Sequence, residues 1–186
     1  MTAAPIEQDE PGSGPADGTS LKYQLAVLAP SVADAVASSG GWVFDRVMAG
    51  WEVSVLIPGL DDASPTARPL EILGARAFNL DAALESASGL RPDAIAVAAD
   101  IFTGDHRVNR EVTAALRRRS VEVSFWGDGT PPSVAGEGTD VEPIEHPLTA
   151  AARAFKSHAL ALVSAASGAV GRTEKFFAIG TSHREW

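Results

Sequence analysis

Four side chains able to move a proton or hold a cation follow two apolar runs. Asp100, Asp105 and His106 come after the first, and Asp128 comes after the second. Carboxylates and an imidazole can form a general acid–base pair or the oxygen-rich shell of a divalent ion. Ser31 and Thr103 add hydroxyls, and Trp126 adds a flat apolar surface with one N–H. These residues meet only if the runs before them are neighbouring parallel strands, because ligands of open α/β sheets sit outside the carboxyl ends where connections diverge. Plainer readings compete. Asp105 suits a helix cap, His106 suits an exposed first turn, and Asp128-Gly129 is a turn signal. No metal and no cofactor is expected from this pattern.

The second candidate is Ser38-Ser39-Gly40-Gly41. A helix starting at Gly41 would present backbone N–H groups to a phosphate over Gly40. A continuous helix from Val32 to Ala49 explains the same residues better. It puts Val32, Val36, Gly40, Val43 and Val47 on one face, with Ser31 as cap and Asp34 three residues on. The glycines also lie too far beyond the preceding strand for a dinucleotide fingerprint. Other chemistries lack their residues. There is no cysteine, no Gly-x-Ser-x-Gly elbow and no acidic pair after the first strand, where Ala29-Pro30 stands. His146, His158 and His183 fit structural roles, and Arg117-Arg118-Arg119 fits a solvated helix end.

The positioning elements follow from hydrophobic pattern. Apolar runs without polar alternation mark strands covered on both faces. They occur at 23–29, 51–57, 76–80, 93–98 and 121–126. The first two flank an amphipathic helix and form a βαβ unit. Arg107–Arg119 is helical with a stripe of Val108, Val112, Ala115 and Leu116. Shorter helices are expected at 69–74 and 81–86. Pro147–Ser167 reads as a long helix with Leu148, Ala152, Phe155, Ala159, Leu162 and Ala166 buried. The first and fourth strands are the most apolar and so central. The third is short and so an edge. The predicted fold is a single Rossmann-like open α/β sheet, mostly parallel, with five strands in order 3-2-1-4-5 and helices on both faces. The alternative order is the flavodoxin-like 2-1-3-4-5.

Gly41–Pro58 resembles the first helix and second strand of two-domain glycosyltransferases of the GT-B type. The likeness is a helix ending in Ala49-Gly50 followed by Glu52-Val53-Ser54-Val55-Leu56. No nucleotide-sugar motif follows, so no activity is implied.

Composition bounds the rest. The 186 residues suit one domain with tails. Residues 1–19 hold almost no large apolar side chain and read as a disordered tail. Residues 20–170 make the α/β domain, and 171–186 a C-terminal tail. Residues 127–145 read as a long loop, mobile or a lid. Phe176 and Trp186 in the C-terminal tail are candidate anchors for a partner or a second copy, whereas Phe177 and Ile179 would share an inward face. The net charge of −9 argues against nucleic acid and against an anionic membrane. The lack of a signal segment points to the cytoplasm. Abundant Ala, Arg and Gly beside few Lys suggests a bacterial chain. The sequence therefore points to a non-catalytic regulatory or protein-interaction domain with an unknown protein partner or self-association. The alternative is a small enzyme or sensor binding a nucleotide or phosphorylated metabolite at the carboxyl edge of the sheet.

Overall fold

The computed structural model describes residues 22–61, 64–86, 91–118, 121–127, 141–163 and 169–179. The expected N-terminal tail, Asp128 and Trp186 lie outside these residues. A seven-stranded sheet runs in the order β3-β2-β1-β4-β5-β7-β6. Its strands are β1 (Gln24–Leu28), β2 (Glu52–Ile57), β3 (Arg76–Asn79), β4 (Ala94–Ala98), β5 (Glu122–Trp126), β6 (Val141–Pro147) and β7 (Thr173–Ile179). The first five pair in parallel, with Val27 opposite Val55 on one side and Ala96 on the other. The order 3-2-1-4-5 thus holds for these five and the flavodoxin-like order does not. The expectation of five strands is corrected to seven. β7 joins β5 antiparallel, and β6 pairs with β7 at the sheet edge.

The central strands are apolar because both faces are covered. Leu25, Val27, Ile95 and Val97 are all buried. One layer of helices holds α1 (Val32–Met48), α2 (Arg68–Ile72) and α6 (Ala150–Val163), packed on one another. The other face carries α3 (Leu80–Glu85), α4 (Ala99–Gly104) and α5 (His106–Arg118). Among the described residues no helix is long and apolar enough to cross a membrane.

Local signals set the helix ends. Ser31 caps α1 by accepting the Asp34 N–H at 3.1 Å. Gly50, at φ +90°, ends it. There the Gly50 N–H donates to Val47 O and the Trp51 N–H to Arg46 O, the bond pair of a Schellman motif. Asp105 caps α5, its Oδ1 accepting the Arg107 N–H at 2.8 Å. The long helix starts later than its pattern predicted. Pro147 ends β6, Thr149 caps α6 through the Ala152 N–H, and α6 runs Ala150–Val163. Its buried face is Ala152, Lys156 and Ala159, while Phe155 and Leu162 are exposed.

The two antiparallel strands come from segments read as loop and tail. β6 occupies part of the 127–145 stretch, and β7 occupies 173–179 of the C-terminal tail. Phe176 is buried against Trp42, with ring centroids 5.0 Å apart, and against Trp126. This corrects its role as a partner anchor, since its ring is spent on the protein's own core. Ile179 is buried and Phe177 is half-buried beside Phe125.

Candidate functional site

The carboxyl ends of β1, β4 and β5 meet where the connections from β1 and β4 diverge. β1 feeds α1 on one face and β4 feeds α4 and α5 on the other. At this point Asp34, in the first turn of α1, accepts a hydrogen bond from Trp126 Nε1 at 3.0 Å. Trp126 ends β5, so the bond spans the switch point. Ser38 Oγ donates to the other carboxylate oxygen at 3.4 Å. Asp34 is half-buried and Trp126 is buried. The capped first turn of α1 lies beside them. Ser31 Oγ satisfies the Asp34 amide and the Ser31 carbonyl accepts from Ala35. A helix start leaves further amides for an incoming oxygen, here those of Val32 and Ala33.

A second cluster sits at the same edge. Arg107 Nη2 donates to Asp105 Oδ2 and to Asp81 Oδ1, both at 2.7 Å. Asp81 belongs to α3 after β3, and its Oδ2 also accepts from the Gly59 amide after β2 at 3.3 Å. One guanidinium therefore ties together the connections that follow β2, β3 and β4. Its hydrogen bonds hold the Asp105 carboxyl down to about 2. They also lower the pKa of Asp81 and raise that of Arg107. Asp105 works as a cap and ion-pair partner, with its carboxylate already engaged.

The other expected site residues fall around these clusters. Asp100 and Thr103 lie on α4, a short helix that the sequence pattern did not reveal, and both are exposed. The Thr103 hydroxyl donates to Ala99 O within its own helix. His106 is exposed at the start of α5. No grouping of three or more His, Cys, Asp or Glu side chains among the described residues is placed to hold a metal ion. Sequence reasoning named Ser31 and Trp126 but read Asp34 only as part of a cap. It missed Asp81 and Arg107 altogether. The signal available for Asp34 was its place in the first turn after a central strand.

At Gly40-Gly41 the structure corrects the phosphate reading. α1 runs through both glycines. The Gly41 and Trp42 amides donate to Glu174 Oε1 and Oε2 at 2.9 and 2.8 Å. Lys156 Nζ donates to Glu174 Oε1 and to Ala37 O, each at 2.6 Å. The Ala37 carbonyl is the ordinary helical acceptor for the Gly41 amide. A Lys–Glu pair from α6 and β7 is thus spliced into one step of the helix. An anion does sit at these glycines, and it is the protein's own side chain.

Two clefts among the described residues are large enough for a small molecule. One of about 410 Å³ lies on the α3 face between β1, β2 and β3, and among the described residues lining it Arg91 is the charged one. The other, about 370 Å³, lies between the second half of α1 and strands β5, β6 and β7. Neither is lined by Ser31, Asp34, Asp100, Thr103, Asp105, His106 or Trp126.

No protein-family model and no curated protein matches the chain. Solved structures do. A deacetylase triple mutant from the teicoplanin biosynthetic pathway matches with a TM-score of 0.59 and 16% identity, over 88% of this chain and 100% of that one. The A40926 pseudoaglycone deacetylase matches with a TM-score of 0.56 and 16% identity, over 88% and 99%. The 4-carboxy-2-hydroxymuconate hydratase from Pseudomonas putida matches with a TM-score of 0.52 and 10% identity, over 88% and 98%. The chain shares their fold across nearly the whole length of each. This overturns the expectation of a non-catalytic regulatory or protein-interaction domain, because the architecture is one that enzymes use from end to end.

Proposed function

We propose that the protein is a small-molecule enzyme working at the carboxyl edge of its sheet, between β1 and β4. The observation that carries this reading is the Asp34–Trp126 bond across the switch point, beside the capped start of α1. A half-buried carboxylate fixed by an indole N–H is suited to move a proton at one position. The Val32 and Ala33 amides suit an oxygen that bears or gains negative charge, either a phosphate or a polarised carbonyl. Removal of an acetyl group and addition of water, the reactions named for the structural neighbours, both use a water molecule beside a polarised group. The substrate class is therefore a small polar metabolite carrying a phosphate or an acyl group. In the acyl case Asp34 takes a proton from water as the water oxygen bonds to the acyl carbon, and the first turn of α1 holds the carbonyl oxygen. Asp34 returns the proton to the leaving group as the bond between that group and the carbon breaks. Ser31 positions the helix start and Trp126 the carboxylate. Asp100, Thr103 and His106 lie on the α4–α5 side of the edge, where they can bind the rest of the substrate.

A thermal-shift screen with nucleotides, sugar phosphates, N-acetylated amines and divalent cations tests the reading. A true ligand well above its dissociation constant raises the melting temperature by several degrees. Acetate release or water addition is then followed by NMR. Asp34→Asn should abolish turnover while the unfolding transition stays cooperative. Full turnover in that variant would remove Asp34 from the mechanism. Loss of activity in Asp100→Asn alone would move the site onto α4.

A further inference from the structure

We propose that the outer face of α6 is a contact surface for a second copy of this chain, whose own α6 lies antiparallel to it about His158. It is independent of the carboxyl-edge reading. The inner face of α6, with Ala152, Lys156 and Ala159, is buried on the side that packs on α1 and α2. The outer face is apolar as well. Ala151, Ala154, Phe155, His158, Ala161 and Leu162 are all exposed. At 3.6 residues per turn they share about 120° of arc, with His158 at its centre. A surface helix ordinarily turns charged and polar groups to water, and a helix apolar on both sides is covered on both. Phe155 and Leu162 remain 43% and 55% exposed. The Phe155 ring is stacked on Phe44 at 4.5 Å, so it is held in place and loses little freedom on contact.

The pattern on this face names the occupant. Phe155 and Ala161 stand three residues either side of His158, and Ala154 and Leu162 stand four. Two such helices running antiparallel about His158 set Phe155 of each across from Ala161 of the other. They likewise set Leu162 across from Ala154. Each large side chain meets a small one, and it does so twice. That reciprocity is the requirement of a two-fold contact between identical surfaces. Alanines opposite the large side chains let the helix axes approach to about 8–10 Å. Contact with an unrelated partner puts no two-fold relation on the sequence of one helix.

Charge points the same way. A net charge of −9 sets two copies against each other at most approaches. α6 holds no Asp or Glu. Its Lys156 is buried and paired with Glu174. Two copies can therefore meet across this face without bringing carboxylates of α6 together.

Sedimentation velocity of the full chain tests the proposal. Wild type should pass from monomer to dimer with Kd below about 100 µM, as suits a contact smaller than a standard interface. Leu162→Glu should weaken the dimer by about tenfold or more. Ala154→Lys added to that variant sets opposite charges across the two-fold axis and should recover dimerisation. Both positions are exposed, so unfolding should stay cooperative in each variant. The chain has no cysteine, which allows a second readout. His158→Cys should give a covalent dimer on mild oxidation, and Arg110→Cys, on α5 across the sheet, should not. A wild type that stays monomeric to about 500 µM would overturn the proposal. So would a dimer unmoved by Leu162→Glu, or one lost there and not recovered in the double variant. Cross-linking no better in His158→Cys than in Arg110→Cys would overturn it too.

Discussion

Two ion clusters of like composition have opposite settings in this molecule. Lys156 and Glu174 are buried, with side chains 7% and 4% exposed. Arg107, Asp81 and Asp105 stand at the surface edge, with Arg107 and Asp81 33% and 42% exposed. Both join elements distant in sequence at short distances. They differ in what happens when a partner is lost. At the edge, water replaces the missing group. In the interior, nothing does, and the remaining charge keeps its desolvation cost. The buried pair also serves the backbone, since Glu174 takes two amides of α1 and Lys156 a carbonyl. Short ion-pair distances alone therefore do not rank these clusters. Burial and backbone partners do.

The largest expected effect is at the buried pair. Glu174→Gln or Lys156→Met leaves one uncompensated charge beside unpaired helix groups. Each should cost about 3–5 kcal/mol, measured by urea unfolding. The comparison sharpens in the double variant. Replacing a buried ion pair by apolar groups is often neutral. Here Glu174→Leu with Lys156→Met should still lose about 2 kcal/mol or more, because the Gly41 and Trp42 amides lose their acceptor. A neutral double variant would show that the backbone contacts contribute nothing and that this pair is an ordinary one.

A smaller loss is expected one step along the helix. A Cβ at Gly41 would stand 2.5 Å from Leu148 Cδ1 and 2.6 Å from its Cδ2. The glycine is needed for this close approach of α1 to the start of α6. Gly41→Ala should cost about 1–3 kcal/mol from overpacking. Leu148→Ala in the same chain should relieve part of the clash, so the two losses should not add. Strict additivity would place the cost of Gly41→Ala in the helix amide pairing with Glu174 instead.

The parallel part of the fold was legible because its chemistry is periodic and local. Uninterrupted apolar runs such as Ala94-Ile95-Ala96-Val97-Ala98 have few other solutions, and their relative apolarity gave the order. The antiparallel part was hidden by its own physics. β6 reads Val-Glu-Pro-Ile-Glu-His-Pro and carries two prolines, which only an edge strand tolerates. β7 carries a buried glutamate where an apolar residue would have marked the inward face. Glu174 and Phe176 point inward together, so the parity read from Phe177 and Ile179 failed for Phe176. The site shows the same division. Ser31 as a cap could be read from four neighbouring residues. The Asp34–Trp126 and Asp81–Arg107 contacts join residues 92 and 26 positions apart, and only the strand order brings them together.

The smallest effect should come from the edge cluster, and pH makes it visible. Arg107 holds the Asp105 carboxyl at about 2, below its ordinary value of 3.8. A carboxyl lowered by folding adds stability that is complete above its unfolded pKa and is lost as pH falls through its folded pKa. The contribution of this pair is therefore present above about pH 4 and gone below about pH 2. Arg107→Met removes the donor. The Asp105 titration, followed by NMR of its side-chain carboxyl carbon, should move up toward the ordinary range. Wild type and variant should unfold alike at the acid end and separate only slightly near neutrality, where exposed pairs contribute little. High salt should shrink that separation further. Should Arg107→Met instead unfold the protein near neutrality as readily as Lys156→Met does, then the links between the connections after β2, β3 and β4 are structural, and exposure would not be what separates the two clusters.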